Sequence, residues 1–324
     1  CYDLGGTNST VTDANVMLGR LNGESLLAGR MKIKKELSLK CINKLANELK
    51  VESDEAALGI VKVSCATMVK AIRSISVERG YNPSDFLLFV YGGAGALHAN
   101  EVARDLGMKK IIIPPSPGIL CAEGAMNAPL STEYVSTILI GLDETGMKTI
   151  RQSVNTLNEK VDLWYKHESV PISERKSWCT VGARYYGQNY ELSLPIDLTK
   201  TDDMLVFDIT SEFHKAHEAN YGFASTSERI QVVNVAVKAI ADLDVPTLPK
   251  AVIAEEVKPK SFRSTLFELG SRYDTPVYER SELVAEQILK GPAIVEQMDT
   301  TILIFPNDVG LVDGWGNLII SLSE

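Results

Sequence analysis

No apolar run in this chain approaches the ~20 residues that a membrane-spanning helix needs, and no secretory leader pattern is visible. Basic residues are outnumbered: the net charge is −9, which argues against unspecific binding to nucleic acid or to an anionic membrane. Any phosphate-bearing ligand must therefore be held by local backbone dipoles or a metal. Cysteine is scarce and scattered. Its five copies (Cys1, Cys41, Cys65, Cys121, Cys179) include no C-x-x-C pair. That pattern predicts reduced thiols in a cytoplasmic protein, with Cys65 and Cys121 as small core residues. There is no G-x-S-x-G, no G-x-x-x-x-G-K-[ST] and no H-E-x-x-H, so acyl-serine, P-loop and zincin chemistry lack support. His214 and His217 lie three apart on a predicted helix and read as a solvated face; no metal site is expected.

What is present is a soluble globular composition with material for two domains among its 324 residues. The most informative stretch is Asp85 to Gly107, DFLLFVYGGAGALHANEVARDLG. Phe86 to Val90 reads as a strand buried on both faces. Gly92, Gly93, Ala94 and Gly95 form a turn, and Ala96 to Ala103 reads as a helix. A strand that ends in glycines and opens a helix gathers bare N–H groups and the positive end of a helix dipole. This suits a nucleotide or another anion, although a tight structural crossover accounts for the glycines equally well. The dinucleotide fingerprint is not met, because His98 stands where its third glycine would be. His98, at a helix N-terminus, is a candidate hydrogen-bonding group with a lowered pKa or a structural residue under the loop.

A long helix is expected from about Asp54 to Arg79, capped by Ser53, ahead of the glycine turn. Lys109 to Ile113 reads as a second strand, parallel to the first, and Ser116-Pro117-Gly118 should converge on Gly92–Gly95 at the strands' carboxyl ends. Thr12 or Asp13 is the expected cap of an early helix, and residues 35–50 have helical spacing. From Thr132 the sequence alternates strands and helices: strand near 133–142, helix 143–167, hairpin 177–196, helix to about 223, strand 230–241. Short strands follow to the end. Arg184 and Gln188 share a face by the strand period and are candidates for a polar pocket, or for a structural ion pair. His217 with Tyr221 is another polar-cluster candidate. Gly291–Glu296 and Asp299–Thr301 read as sheet scaffolding.

The segment YGGAGALHANEVARDLGMKKIIIPPSPGILCAEG resembles the hydantoinase A / 5-oxoprolinase family, which is related to acetone carboxylase β-type subunits. Further matching segments are CYDLGGTNSTVTDANVMLGRL at residues 1–21, Arg184-Tyr185-x-Gly187-Gln188, His217-x-x-x-Tyr221-Gly222, GPAIVE from Gly291 and Asp299-Thr300-Thr301. Residues Asp3-Leu4 replace the Gly-Arg more usual in the family. The resemblance spans essentially the whole chain and corresponds to the C-terminal half of a full hydantoinase A-like protein.

That resemblance implies an α/β fold. An actin/Hsp70/sugar-kinase-like (ribonuclease H-like) nucleotide-binding subdomain (1–128) would be followed by a β-rich α+β C-terminal domain (129–324). It implies ATP-dependent ring opening of a cyclic amide such as a hydantoin or 5-oxoproline, with Gly92, Gly93, Ala94 and Gly95 on the adenosine side of ATP. Mg²⁺, its carboxylate and the catalytic residues would lie upstream, leaving the fragment inactive alone. The partner would be a B-type subunit or further copies. Three rivals stand beside this. One is an ATP-dependent carboxylase subunit acting on a ketone. Another is a sugar-kinase-like phosphotransferase using Asp3-x-Gly5-Gly6-Thr7. The last is a non-catalytic assembly subunit.

Overall fold

The computed structural model describes residues 2, 5–77, 80–241 and 250–323. Asp3, on which a kinase-like phosphate role would rest, lies outside the described residues, as do Cys1 and Leu4. The chain forms two compact units: Cys1–Met126 with Thr247–Glu324, and Asn127–Pro246. The packing thus differs from the expected division into 1–128 and 129–324. The break near 127 is there, but the C-terminal strands return to complete the sheets of the first unit.

The first unit opens with α1 (Val11–Met17), the short β1 (Ser25–Leu26) and β2 (Met31–Lys32), α2 (Lys35–Leu49) and α3 (Ser53–Ser76). It continues with β3 (Leu88–Phe89), α4 (Gly95–Asp105), β4 (Lys110–Ile113) and α5 (Leu120–Asn127), at whose end the units divide. Thr10, not Thr12 or Asp13, caps α1: its hydroxyl accepts from the Asp13 N–H while the Asp13 carboxylate accepts from the Thr10 N–H, a reciprocal capping box. α3 begins at Ser53 itself, after Glu52, without a side-chain cap. Its buried face carries Ala57, Val61, Cys65 and Val69, with Met68 and Ile72 partly buried, whereas Ile75 is exposed.

The second unit consists of β5 (Leu130–Gly141), α6 (Glu144–His167), β6 (Arg175–Tyr185), β7 (Leu192–Ile196), α7 (Asp202–Tyr221) and β8 (Ile230–Ala241). Its antiparallel sheet has the order β5-β8-β6-β7. The apolar stripe of α6 (Met147, Ile150, Val154, Leu157, Val161) recurs every three or four residues and shares a core with Val181, Val235 and Val237.

After residue 250 the chain adds β9 (Ser261–Leu266), β10 (Arg272–Glu279), β11 (Ile288–Lys290), β12 (Ala293–Glu296), β13 (Thr301–Ile304), β14 (Val309–Val312) and β15 (Leu318–Ser321) to the first unit. Two sheets result, in the orders β13-β12-β10-β9 and β11-β14-β15-β4-β3. β3 and β4 are parallel, joined through α4, as the glycine-turn crossover requires. The remaining pairs of the five-stranded sheet are antiparallel. The expected strand buried on both faces is a correction. β3 is a two-residue edge strand, and Phe86, Leu87 and Phe89 are exposed, because among the described residues nothing pairs with its far side. Cys121 is likewise exposed rather than in the core, whereas Cys65 is buried.

Arg20, fully buried just after α1, ties the two segments of the first unit together. Its Nε donates to the Leu266 carbonyl (3.1 Å), Nη2 to the Phe267 carbonyl (2.9 Å) and Nη1 to Glu101 Oε1 on α4 (2.6 Å). The guanidinium also lies over the Phe305 ring, 5.4 Å from its centre. Truncating one partner of a buried ion pair strands the other charge, so Arg20→Met should cost roughly 3–5 kcal/mol. Urea denaturation checks this, and a loss below about 1 kcal/mol would contradict the bridging role.

Candidate functional site

A cavity of about 750 Å³ in the first unit meets the glycine turn. Gly93 and Ala94 come from the turn before α4, Leu97 and His98 from its first turn, Thr12 and Asn15 from α1, and Gln297 to Thr301 from the β12–β13 connection and the first residue of β13. Gly92 takes the left-handed conformation (φ +86°), which is cheap only for glycine. Its N–H donates to the Pro117 carbonyl (2.7 Å), bringing the turn onto the Ser116-Pro117-Gly118 loop as expected. The β12–β13 connection locks on from the other side. The Gly118 N–H donates to Asp299 Oδ2 (2.7 Å), and Gln297 Nε2 donates to the Pro115 carbonyl (2.7 Å). A Cβ on Gly93 would stand 3.0 Å from the Asp299 carbonyl oxygen, so that approach is already tight.

Three lining side chains carry a buried oxygen without a hydrogen-bond partner: Asn15 Oδ1, Gln297 Oε1 and Thr300 Oγ1. Asn15 is fully buried, and its amide Nδ2 is spent on the Val11 carbonyl (2.9 Å). Leaving such a group unsatisfied costs about 1–3 kcal/mol. A ligand offering N–H or O–H donors would recover that cost.

Another part of the wall is charged. Lys260 bridges Glu279 (2.8 Å) and Glu296 (3.0 Å), and Arg263 holds the other Glu296 oxygen (2.6 Å). Burial alone would raise the Glu296 carboxyl, but Arg263 and Lys260 outweigh it and hold the pKa below the usual value. Burial likewise opposes the charge on Lys260, and its two carboxylate partners overcome it, so the ammonium pKa is raised. These charges are mutually spent.

His98 is buried, and its pKa is pushed down to about 4, first by burial and then by the Arg20 charge. Its Nδ1 lies 3.8 Å from Cys65 Sγ. Burial raises the Cys65 thiol to about 12, with Glu101 adding to the rise, so the pair is a neutral imidazole beside a neutral thiol. Among the described residues, no group of three His, Cys, Asp or Glu side chains is placed to hold a metal.

Comparison with known proteins gives the frame for this geometry. The hydantoinase/oxoprolinase family model matches residues 1–134, and the model of the hydantoinase/oxoprolinase C-terminal domain matches residues 143–322. The chain belongs to the hydantoinase/oxoprolinase family. It is 30% identical over 314 residues to the caprolactamase subunit alpha of Pseudomonas jessenii, covering 94% of this chain and 45% of that one. It is 30% identical over 347 residues to the acetophenone carboxylase gamma subunit of Aromatoleum aromaticum, covering 99% of this chain and 46% of that one. The crystal structure of the ATP-dependent caprolactamase from Pseudomonas jessenii superposes with a TM-score of 0.85 at 28% identity, over 100% of this chain and 48% of that one. The chain spans about half the length of these two relatives.

Within this family member the sequence-derived candidates separate. Gly93, Ala94 and His98 line the cavity; Arg184, Gln188 and His217 belong to the second unit and are not among its lining. Nor do Arg184 and Gln188 make one pocket. Arg184 donates through Nε and Nη2 to Gln231 Oε1, whereas Gln188 follows the end of β6 and its amide meets His217 at 3.5 Å. His217 is a core residue: its Nδ1 donates to the Phe223 carbonyl (2.7 Å), with the rings of Tyr185, Phe213 and Tyr221 around it. His214 packs against Tyr185 and Phe213. The sequence reading took Asp299–Thr301 as sheet scaffolding and did not single out Asn15 or Gln297. A mid-helix Asn disfavours helix locally, and a polar QMDTT between two apolar strands is more than a turn needs; both were usable signals.

The His98 imidazole makes a checkable contribution to stability. In the unfolded chain it titrates near 6.5, in the folded protein at about 4, so the unfolded state takes up the proton first. The contribution is complete above pH 6.5 and is lost as pH falls toward 4. Between pH 7.5 and 5 it should amount to about 2 kcal/mol. Urea denaturation at those two pH values should show His98→Gln with a correspondingly flatter pH dependence. An unchanged slope would mean that His98 is not held neutral.

Proposed function

We propose that this chain forms the nucleoside-side portion of an ATP-dependent enzyme that opens a cyclic amide such as a hydantoin or 5-oxoproline. The observation that carries it is the set of three unpartnered buried oxygens beside the glycine turn. Asn15 Oδ1 and Gln297 Oε1 are acceptors, and Thr300 Oγ1 is both donor and acceptor. An adenine amino group and ribose hydroxyls supply the matching donors, and a cavity of about 750 Å³ has room for a nucleoside. The glycine turn admits a flat ring close to the main chain, with the uncapped N-terminus of α4 at its end.

When bound, ATP would supply a phosphoryl group to the amide oxygen, releasing ADP; water would then add to the activated carbon, the ring C–N bond would break to free the amine, and a second water would release the phosphate from the acyl group. This chain's residues bind and orient the nucleoside and exclude water around it. Mg²⁺, with the carboxylate that holds it and the groups that contact the reacting amide, belongs to the part of the full-length enzyme outside these residues. The assembly partner is a B-type subunit, and the setting is the cytoplasm. Carboxylation of a ketone is the second reading, favoured by the similarity to the acetophenone carboxylase gamma subunit across 99% of this chain.

Calorimetric titration of the full-length protein with MgATP tests the site. Gly93→Val should weaken binding at least tenfold, because the side chain must displace the Asp299 backbone. Thr300→Val, nearly isosteric, should weaken it about fivefold, the equivalent of one hydrogen bond at about 1 kcal/mol. Circular dichroism establishes that each variant is folded. If the wild-type protein binds no nucleotide, the enzyme reading fails and a non-catalytic assembly role replaces it. If it binds and both variants match it, the glycine turn is only structural.

A further inference from the structure

The five-stranded sheet buries one face and leaves an apolar row across the other. Ile111, Ile113, Val312, Leu318, Ile320 and Leu289 point into the core of the first unit. Their alternates are also apolar, and the strand registers align them. Phe89 of β3 pairs with Ile112 of β4, Ile112 with Ile319 of β15, Ile319 with Leu311 of β14, and Leu311 with Ile288 of β11. Phe89, Leu311 and Ile288 are 49%, 40% and 51% exposed, and Ile112 and Ile319 are half-buried. A solvated sheet face normally alternates to polar residues. A row of five large apolar side chains spanning every strand marks a face that is meant to be covered.

The next row along the same face is Lys110–Ser321–Val309–Lys290, with a lysine at each end. The cover is therefore apolar in the middle and acidic along one edge. Five strands at ~4.8 Å spacing make a row of roughly 19 Å. A helix of about 13 residues laid across the strands has that length.

We propose that this face is the docking surface for an amphipathic helix from the part of the full-length protein outside these 324 residues. The lengths support that occupant. The caprolactamase and acetophenone carboxylase subunits each carry more than half of their own chain outside the region this one matches. A second copy of the chain or a B-type subunit is the competing occupant, and the test separates them.

The test uses the full-length protein with a single cysteine on the row, Leu311→Cys, and with Ile288→Cys as the alternative where the first fails to fold. Maleimide modification at that position, read by peptide mass spectrometry, should run at least 100-fold slower in the native protein than in urea. Photo-crosslinking from the same cysteine should join it to a peptide outside residues 1–324 of the same molecule. Native modification as fast as in urea overturns the proposal. So do cross-links confined to residues 127–246, cross-links between isotopically distinct copies, or cross-links to a co-purified subunit.

Discussion

The first unit is assembled from two stretches of chain separated by an entire second unit, and Arg20 is where they are joined. Its guanidinium serves three acceptors at once: two carbonyls at the end of β9, some 246 residues away in sequence, and Glu101 on the glycine-turn helix. A planar fork of fixed donors suits this task, and a lysine could not reproduce it. Moving such a charge out of water is costly, so the arrangement holds only while all its partners are in place. Through Glu101 the glycine-turn helix is thereby tied to the end of β9.

The same long-range closure builds the cavity. Thr12, Asn15 and the glycine turn come from the first stretch, whereas Lys260, Glu296 and the Gln297–Thr301 connection come from the second. Asp299 makes the link specific: its carboxylate takes the Gly118 N–H, and its carbonyl sits so near Gly93 that any side chain there would press on it. The electrostatics follow from burial among these neighbours. Arg20 lies close enough to help keep His98 neutral, while Lys260 and Arg263 keep Glu296 ionised.

The glycine-turn crossover was legible in the sequence because its signals are local. An apolar run, glycines, an amphipathic helix and a second apolar run give two parallel strands joined through a helix, and β3, α4 and β4 are that. The hairpin and both long helices of the second unit could be read for the same reason. What escaped depends on contacts distant in sequence. Nothing around Phe86–Val90 announces that it lies at an edge with one side unpaired. No local pattern tells that Arg184 turns to Gln231 while Gln188 turns to His217. Nor does the order of segments along the chain reveal that the strands after residue 250 rejoin the unit built by the first 126 residues. Asn15 and Asp299 acquire their meaning only once that return has happened.

Two kinds of unmet demand remain on the first unit, and their shapes separate their complements. The unpartnered oxygens of Asn15, Gln297 and Thr300 belong to side chains that border a partly open cavity, and buried polar atoms are satisfied by a few directional bonds. A small polar molecule can supply them. The row from Phe89 to Ile288 is broad, apolar and without directional groups. Covering it gains in proportion to the area removed from water, which a small ligand cannot supply and a helix can. The demand for directional bonds at the cavity thus matches the proposed nucleoside, and breadth with apolarity matches the proposed helix.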